Sequence, residues 1–195
     1  MIKLLNATYQ HSSNIIHIPN ISLNRGDIVG LFGVSGCGKS TAASILAGMR
    51  KPSTGIMSLP IKRDNENNPL QWITQQPEFA FNPRWKVKRS LMESGNISLP
   101  LLQRYLVEPS WLEKKPHQLS GGELQRVNIV RALTQSTQFL ICDEITAQLD
   151  PITQQHIWNK LIEDIQERQI GTIIISHNIY LLRQLCSKII YWSNN

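Results

Sequence analysis

The stretch Gly33–Ser40, GVSGCGKS, narrows the possible folds more than any other part of the chain. It fits the pattern Gly-x-x-x-x-Gly-Lys-Ser/Thr and follows a compact apolar run, Asp27–Phe32 (DIVGLF), that reads as a buried strand. A small, Ala-rich helix over Thr41–Met49 comes next, and Lys51–Pro52 stops it. Strand, glycine loop and helix in that order are the context the pattern demands. The glycines let consecutive backbone N–H groups turn inward around the α- and β-phosphates of a nucleotide. Lys39 reaches the β/γ-phosphates, and the Ser40 hydroxyl can ligate Mg²⁺. The residues expected at a nucleotide are therefore Gly33, Ser35, Gly36, Cys37, Gly38, Lys39, Ser40 and Thr41. Cys37 reads either as a small neutral filler or as a thiol whose alkylation would occupy phosphate space.

Three further strand ends carry polar chemistry. Phe139–Cys142 (FLIC) is an apolar strand ending in two acids, Asp143 and Glu144. The carboxyl edge of a strand is where open α/β folds place ligands. Asp143 there can hold Mg²⁺, and Glu144, pointing the other way, can orient and polarise an attacking water. The strand at Thr172–Ile175 ends in Ser176–His177, and the strand at Leu70–Thr74 runs into Gln75. Ends of parallel strands converging on one phosphate loop make the geometry that nucleotide hydrolysis requires.

The stretch Leu119–Leu133, LSGGELQRVNIVRAL, starts a helix. Ser120 and Glu123 form a capping-box pattern, and Leu124, Val127, Val130 and Leu133 follow at helical spacing. Gly121 and Gly122 directly behind the cap are unusual, since glycine weakens a helix by roughly 1 kcal/mol relative to alanine. They allow an anion to approach the helix N-terminus. On these residues alone, an ordinary capped helix and a phosphate sensor both remain open.

The pattern of elements implies an α/β protein with a largely parallel sheet covered on both faces. Ile2–Tyr9, Asn14–Ile18 and Gly55–Leu59 read as a small N-terminal β region, and 63–69 as a polar turn. After Gln75 the texture changes, with apolar residues at mixed helical spacings broken by Pro100, Pro109 and Pro116. This reads as a helical lobe, about residues 79–116, inserted into a core formed by about 1–78 and 117–195. The later elements are expected as helix 121–136, strand 138–142, helix 152–168, strand 172–175, helix 178–187 and strand 188–192. Ile157, Leu161 and Ile165 form one buried stripe. With 195 residues the chain suits a single domain. Its net charge of +6 favours anionic partners, although the basic residues are scattered except around Arg84–Arg89. Three cysteines without a Cys-x-x-Cys pair point away from a disulfide framework or zinc site and fit a reducing cytosol. No signal peptide is read, and no apolar run approaches the ~20 residues that span a bilayer.

Taken together, these motifs closely resemble the nucleotide-binding subunits of ABC transporters, in order, from Tyr9 to about Trp192. LSGGELQR, Leu119–Arg126, looks like that family's signature motif. The resemblance implies a P-loop ATPase that binds ATP and Mg²⁺, with Ser40, Gln75 and Asp143 at the metal. It implies Tyr9 as the aromatic stacking on adenine, Glu144 as general base, His177 as switch histidine and Gln75 as the glutamine linking the site to a membrane partner. Asp150 would lie at a dimer seam. Ser120, Gly121 and Gly122 would complete the ATP site of a second ATPase subunit, so that two ATPs are sandwiched head to tail. Gln75–Arg84 (QQPEFAFNPR) and Pro116–Arg126 (PHQLSGGELQR) resemble the importer branch for oligopeptides and nickel or related metal chelates.

The partners this implies are a second ATPase subunit, transmembrane permease subunits and, indirectly, an extracytoplasmic solute-binding protein. The place would be the cytoplasmic face of the membrane, peripherally. Three departures from the family stand out. Ala147 occupies the usual serine position of the segment ending at Asp150, which favours a heterodimer with a different ATPase. The lobe between Gln75 and Ser120 is short, and the C-terminal extension usual in that branch is missing after Asn195. A soluble ABC ATPase acting on nucleic acid or the ribosome is the rival reading. It rests on charge alone, and no nucleic-acid partner is expected.

Overall fold

The computed structural model describes residues 1–11, 14–34, 36–62, 64, 67–95 and 98–192. The strands are β1 (Ile2–His11), β2 (Asn14–His17), β3 (Ile21–Leu23), β4 (Ile28–Gly33), β5 (Thr54–Ser58), β6 (Leu70–Ile73), β7 (Phe139–Asp143), β8 (Gly171–Ser176) and β9 (Lys188–Trp192). The α-helices are α1 (Lys39–Leu46), α2 (Val87–Glu93), α3 (Leu99–Arg104), α4 (Gly121–Ala132), α5 (Pro151–Arg168) and α6 (Ile179–Leu185). Single 3₁₀ turns at Pro77–Ala80, Pro109–Glu113 and Pro116–Gln118 each begin at a proline, whose fixed φ suits a first helical position.

Five strands form a wholly parallel sheet in the order β6-β7-β8-β4-β9. Its middle strands are buried on both faces, as parallel sheets are. Alternation along β7 divides the core in two. Phe139 and Ile141 point into a cluster with Ala42, Ile45 and Leu46 of α1 and Leu4 of β1, whereas Leu140 and Cys142 join Val127, Val130, Leu161 and Ile165 of α4 and α5. The second sheet is antiparallel: β1 pairs with β2 and β3 along one edge and with β5 along the other.

Several boundaries differ from the sequence reading. Helix α1 starts at Lys39, two residues early, because Gly38 adopts a left-handed φ of 107° and turns the loop directly into the helix. It ends near Gly48, whose φ of 74° suits a residue without a side chain. Helix α4 ends at Ala132 rather than near 136; there the Thr137 hydroxyl donates to the Ala132 carbonyl and takes the chain into β7. Strand β3 has only three residues, too few for alternation to reveal it. Between β6 and α4 the helices are short, and α3 ties back to α5. The Arg104 guanidinium lies 3.0 Å from both Glu163 and Asp164, and the buried Tyr105 hydroxyl donates to Asp164. The turn read at 63–69 falls partly outside the described residues.

Candidate active site

The parallel register decides which strand ends become neighbours. Asp143 at the end of β7 pairs with Ile175 of β8, and Phe32 of β4 with Ser176. The residues that follow β6, β7, β8 and β4 therefore emerge side by side. They border a cavity of about 650 Å³ lined by Gly36, Gly38, Lys39, Ser40, Thr41, Gln75, Asp143, Glu144, His177 and Ile16.

At its base, Gly36 (φ 83°) and Gly38 (φ 107°) hold backbone that a side chain would strain. A Cβ on Gly36 would meet nothing within 4 Å, so the loop lies open at that point. Helix α1 begins at Gly38 with no side-chain cap, leaving its first N–H groups available to an anion. The Lys39 ammonium, nearly buried, donates to the carbonyls of Gly33 (2.7 Å) and Val34 (2.8 Å). Two of its three protons brace the loop, so the ammonium has one more to offer an acceptor.

Asp143 is 4% exposed. Burial, and then the neighbouring Glu144 charge, push its carboxyl from 3.8 up to about 6, against the opposing pull of Lys39 and of a hydrogen bond from Ser40. Glu144 has a left-handed φ of 51° and its N–H donates to the Ile175 carbonyl at 3.0 Å. That conformation is costly for a residue with a side chain. The Glu144 carboxylate meets His177 Nδ1 at 2.6 Å, so β7 and β8 deliver an acid and an imidazole to one point. A carboxylate held this way can accept a proton from water while the ring fixes its direction.

Other expected residues lie elsewhere. Gly33 sits beneath the loop, where a Cβ would come 2.8 Å from Cys37 Sγ and 2.9 Å from the Trp192 carbonyl oxygen. Cys37 is itself 1% exposed, so the structure favours the filler role over an accessible thiol. Ser35 lies outside the described residues. Tyr9 is off the cavity wall: its ring packs toward the core with the Arg50 guanidinium 5.6 Å over it, and its cross-strand partner Ile16 lines the cavity instead. Ser120, Gly121, Gly122 and Asp150 do not line the cavity either. Ser120 caps α4, its hydroxyl accepting from Glu123 N–H at 3.3 Å while its own N–H donates to the Glu123 carboxylate at 2.8 Å. Asp150 caps α5 by accepting from the Ile152 and Thr153 N–H groups, and the Thr153 side chain first, then these backbone donors, hold its carboxyl below the usual range.

Two participants were missed by sequence reasoning. Ile16 could have been found by pairing the first two strands as a hairpin, which sets it opposite Tyr9. Gln125, 1% exposed, donates to the Thr74 carbonyl at 3.2 Å and so ties α4 to the residue before Gln75. No local pattern distinguishes it from a surface glutamine.

The sequence profile described as ABC transporter matches residues 16–147. This chain belongs to the ABC transporter family. Over 205 aligned residues it is 34% identical to the nickel import system ATP-binding protein NikE of Staphylococcus aureus strain MSSA476, covering 97% of this chain and 85% of that protein. The same protein from strain N315 matches at the same identity and coverage. Among solved structures, a bacterial ABC transporter cassette in dimeric form superposes with a TM-score of 0.80 at 28% identity, over 98% of this chain and 94% of that one. A dimeric post-hydrolysis state bound to ADP and Pi gives 0.82 at 27% identity, over 99% and 94%. As an ABC cassette the chain binds ATP and hydrolyses it to power transport.

Proposed function

We propose that this ABC cassette energises import of nickel or a closely related metal chelate. The observation that carries the proposal is the likeness to a nickel import ATP-binding protein along 97% of the chain, including the lobe and the loop after Gln75. In this reading the residues about 1–78 and 117–195 form the catalytic core, and about 79–116 a helical lobe. The chain sits at the cytoplasmic face of the membrane, bound to permease subunits and paired with a second cassette, Ala147 favouring a different one. A groove of about 540 Å³ beside the nucleotide cavity, walled by Gln75, Gln76, Met49, Trp72 and the exposed Phe79, is the surface offered to the permease.

The geometry supports the following site roles. Gly36 and Gly38 present backbone N–H groups to the phosphates, and the third Lys39 proton meets a terminal phosphate oxygen. Glu144 takes the proton from the attacking water, and His177 holds its carboxylate in position. The oxygen donors Ser40, Asp143 and Gln75 fit Mg²⁺, a hard cation held by one or two protein oxygens together with substrate phosphates. Bound there, Mg²⁺ supplies charge neutralisation for the phosphates. The raised Asp143 carboxyl is consistent with a position built for a cation. Ser120, Gly121 and Gly122 serve nucleotide held by the partner cassette, which makes hydrolysis depend on closure.

The test is reconstitution of this chain with its membrane subunits in vesicles. ATP-dependent nickel uptake, abolished by Glu144→Gln, is the expected result. Turnover stimulated by oligopeptides and indifferent to nickel would overturn the nickel assignment.

A further inference from the structure

Helix α4 grips the chain on both sides of Gln75. Ahead of it, Gln125 Nε2 donates to the Thr74 carbonyl at 3.2 Å, and beyond it the Arg131 guanidinium stands 5.5 Å over the Phe81 ring. A carbonyl can only accept, so the first contact fixes the Gln125 carboxamide with its nitrogen toward Thr74. Gln125 and Phe81 are both buried. What they hold is otherwise weakly fastened. Thr74 follows β6, an edge strand of the parallel sheet, which has a neighbouring strand on one side only. The 3₁₀ turn at Pro77–Ala80 carries two long hydrogen bonds, from Phe79 N–H to the Gln76 carbonyl and from Phe81 N–H to the Glu78 carbonyl, at 3.4 Å each. Between the two grips the Thr74 hydroxyl donates to the Gln76 carbonyl at 2.9 Å and closes the backbone around Gln75. Gln75 itself is exposed and lines the nucleotide cavity, so its placing there follows α4.

We propose that Gln125 and Arg131 are positioning residues that make Gln75 respond, in its own cavity, to the phosphate that α4 receives from the partner cassette. This rests on the reading that Ser120–Gly122 serve the partner's nucleotide. A twelve-residue helix is stiff, so a phosphate drawn onto the N–H groups at its start shifts it as a unit. Gln125, one turn beyond Gly121, carries the shift to Thr74, and Arg131, in the last turn, carries it to Phe81. Gln75 moves with the two points that flank it. The nucleotide site of this chain thereby senses whether the partner's site is loaded.

The experiment follows amide exchange over residues 74–81 in the assembled transporter, with and without a non-hydrolysable ATP analogue, by mass spectrometry. In the unmodified chain the analogue should slow exchange there about tenfold, the equivalent of tightening a local opening by one strong contact. Gln125→Met keeps the bulk, removes the donor and should cut that slowing about three- to tenfold, the range of one hydrogen bond. A bond that only holds the fold together would speed exchange equally in both states. An unchanged ratio in the methionine variant therefore overturns the proposal. Phe81→Leu removes the ring face beneath Arg131 and should cut the ratio about two- to tenfold; no change there removes Arg131 from the proposal. Ser120→Asp keeps a capping oxygen but repels phosphate, so it too should cut the slowing. Combined with Gln125→Met it should cut it no further, because both variants break one route; additive losses would overturn the proposal. If Ser120→Asp lost the slowing while Gln125→Met kept it, the shared site would stand and only the role of Gln125 would fall. If Ser120→Asp kept the slowing in full, the shared site itself would be refuted.

Discussion

With nucleotide and metal withheld, replacing Asp143 by asparagine should make the protein more stable. The carboxyl is almost wholly buried, and desolvation together with the Glu144 charge raises it from 3.8 to about 6. Its folded pKa thus lies above its unfolded one. Between about pH 4 and pH 6 the native state binds more protons than the unfolded state, so stability falls as pH rises through that window and stays reduced above it. A shift of about two units at about 1.4 kcal/mol each makes the ionised carboxylate cost about 3 kcal/mol near pH 8. Asp143→Asn keeps the shape and removes the charge. In a chelating buffer near pH 8 it should raise Tm by about 6–12 °C, at roughly 2–4 °C per kcal/mol for a chain of this size. Near pH 4 both proteins hold a neutral side chain, and the gap should close. Thermal unfolding followed by circular dichroism at the two pH values measures this directly. Addition of Mg-ATP should stabilise the unmodified protein more than the variant. No gain near pH 8, or a gain undiminished near pH 4, would refute the view that a buried charge awaiting a cation destabilises this site.

Glu144→Gln should cut ATP turnover about 10²- to 10⁴-fold while ATP still binds, with equilibrium binding and single-turnover assays separating the two. His177→Ala removes the 2.6 Å contact that aims the Glu144 carboxylate and should lower kcat far more than it changes KM. Gln125→Met removes the hydrogen bond to Thr74 but also a buried carbonyl that has no partner. Its Tm should therefore stay within a few degrees, as a change of about 1 kcal/mol allows, while solute-stimulated turnover in the assembled transporter falls. Tyr105→Phe removes the hydroxyl that donates to Asp164 while the ion pair with Arg104 stays, and amide exchange in Val87–Glu93 and Leu99–Arg104 should speed up by the equivalent of about 1–2 kcal/mol.

The phosphate loop, the acids after FLIC, the capping box of Ser120 and the stripe Ile157, Leu161, Ile165 could be read without coordinates. Each is written in residues close together in the chain, where turn chemistry, capping and the period of burial act. Local sequence also placed Gln75, Asp143 and His177 at strand ends. It could not say that β8 lies between β4 and β7, or that β6 flanks β7. Strand order is set by how buried faces pack, and it is that order which brings Glu144 onto His177. The same holds for the position of Tyr9, whose ring the fold gives to Arg50 and the core while Ile16 takes the cavity wall. It holds equally for Gln148, which meets Gly121 across 27 residues of chain. The sequence alone determined which chemistries this protein carries, because those patterns are local. Only the tertiary structure decided which of them touch, because contact between distant residues depends on register and packing that no short pattern encodes.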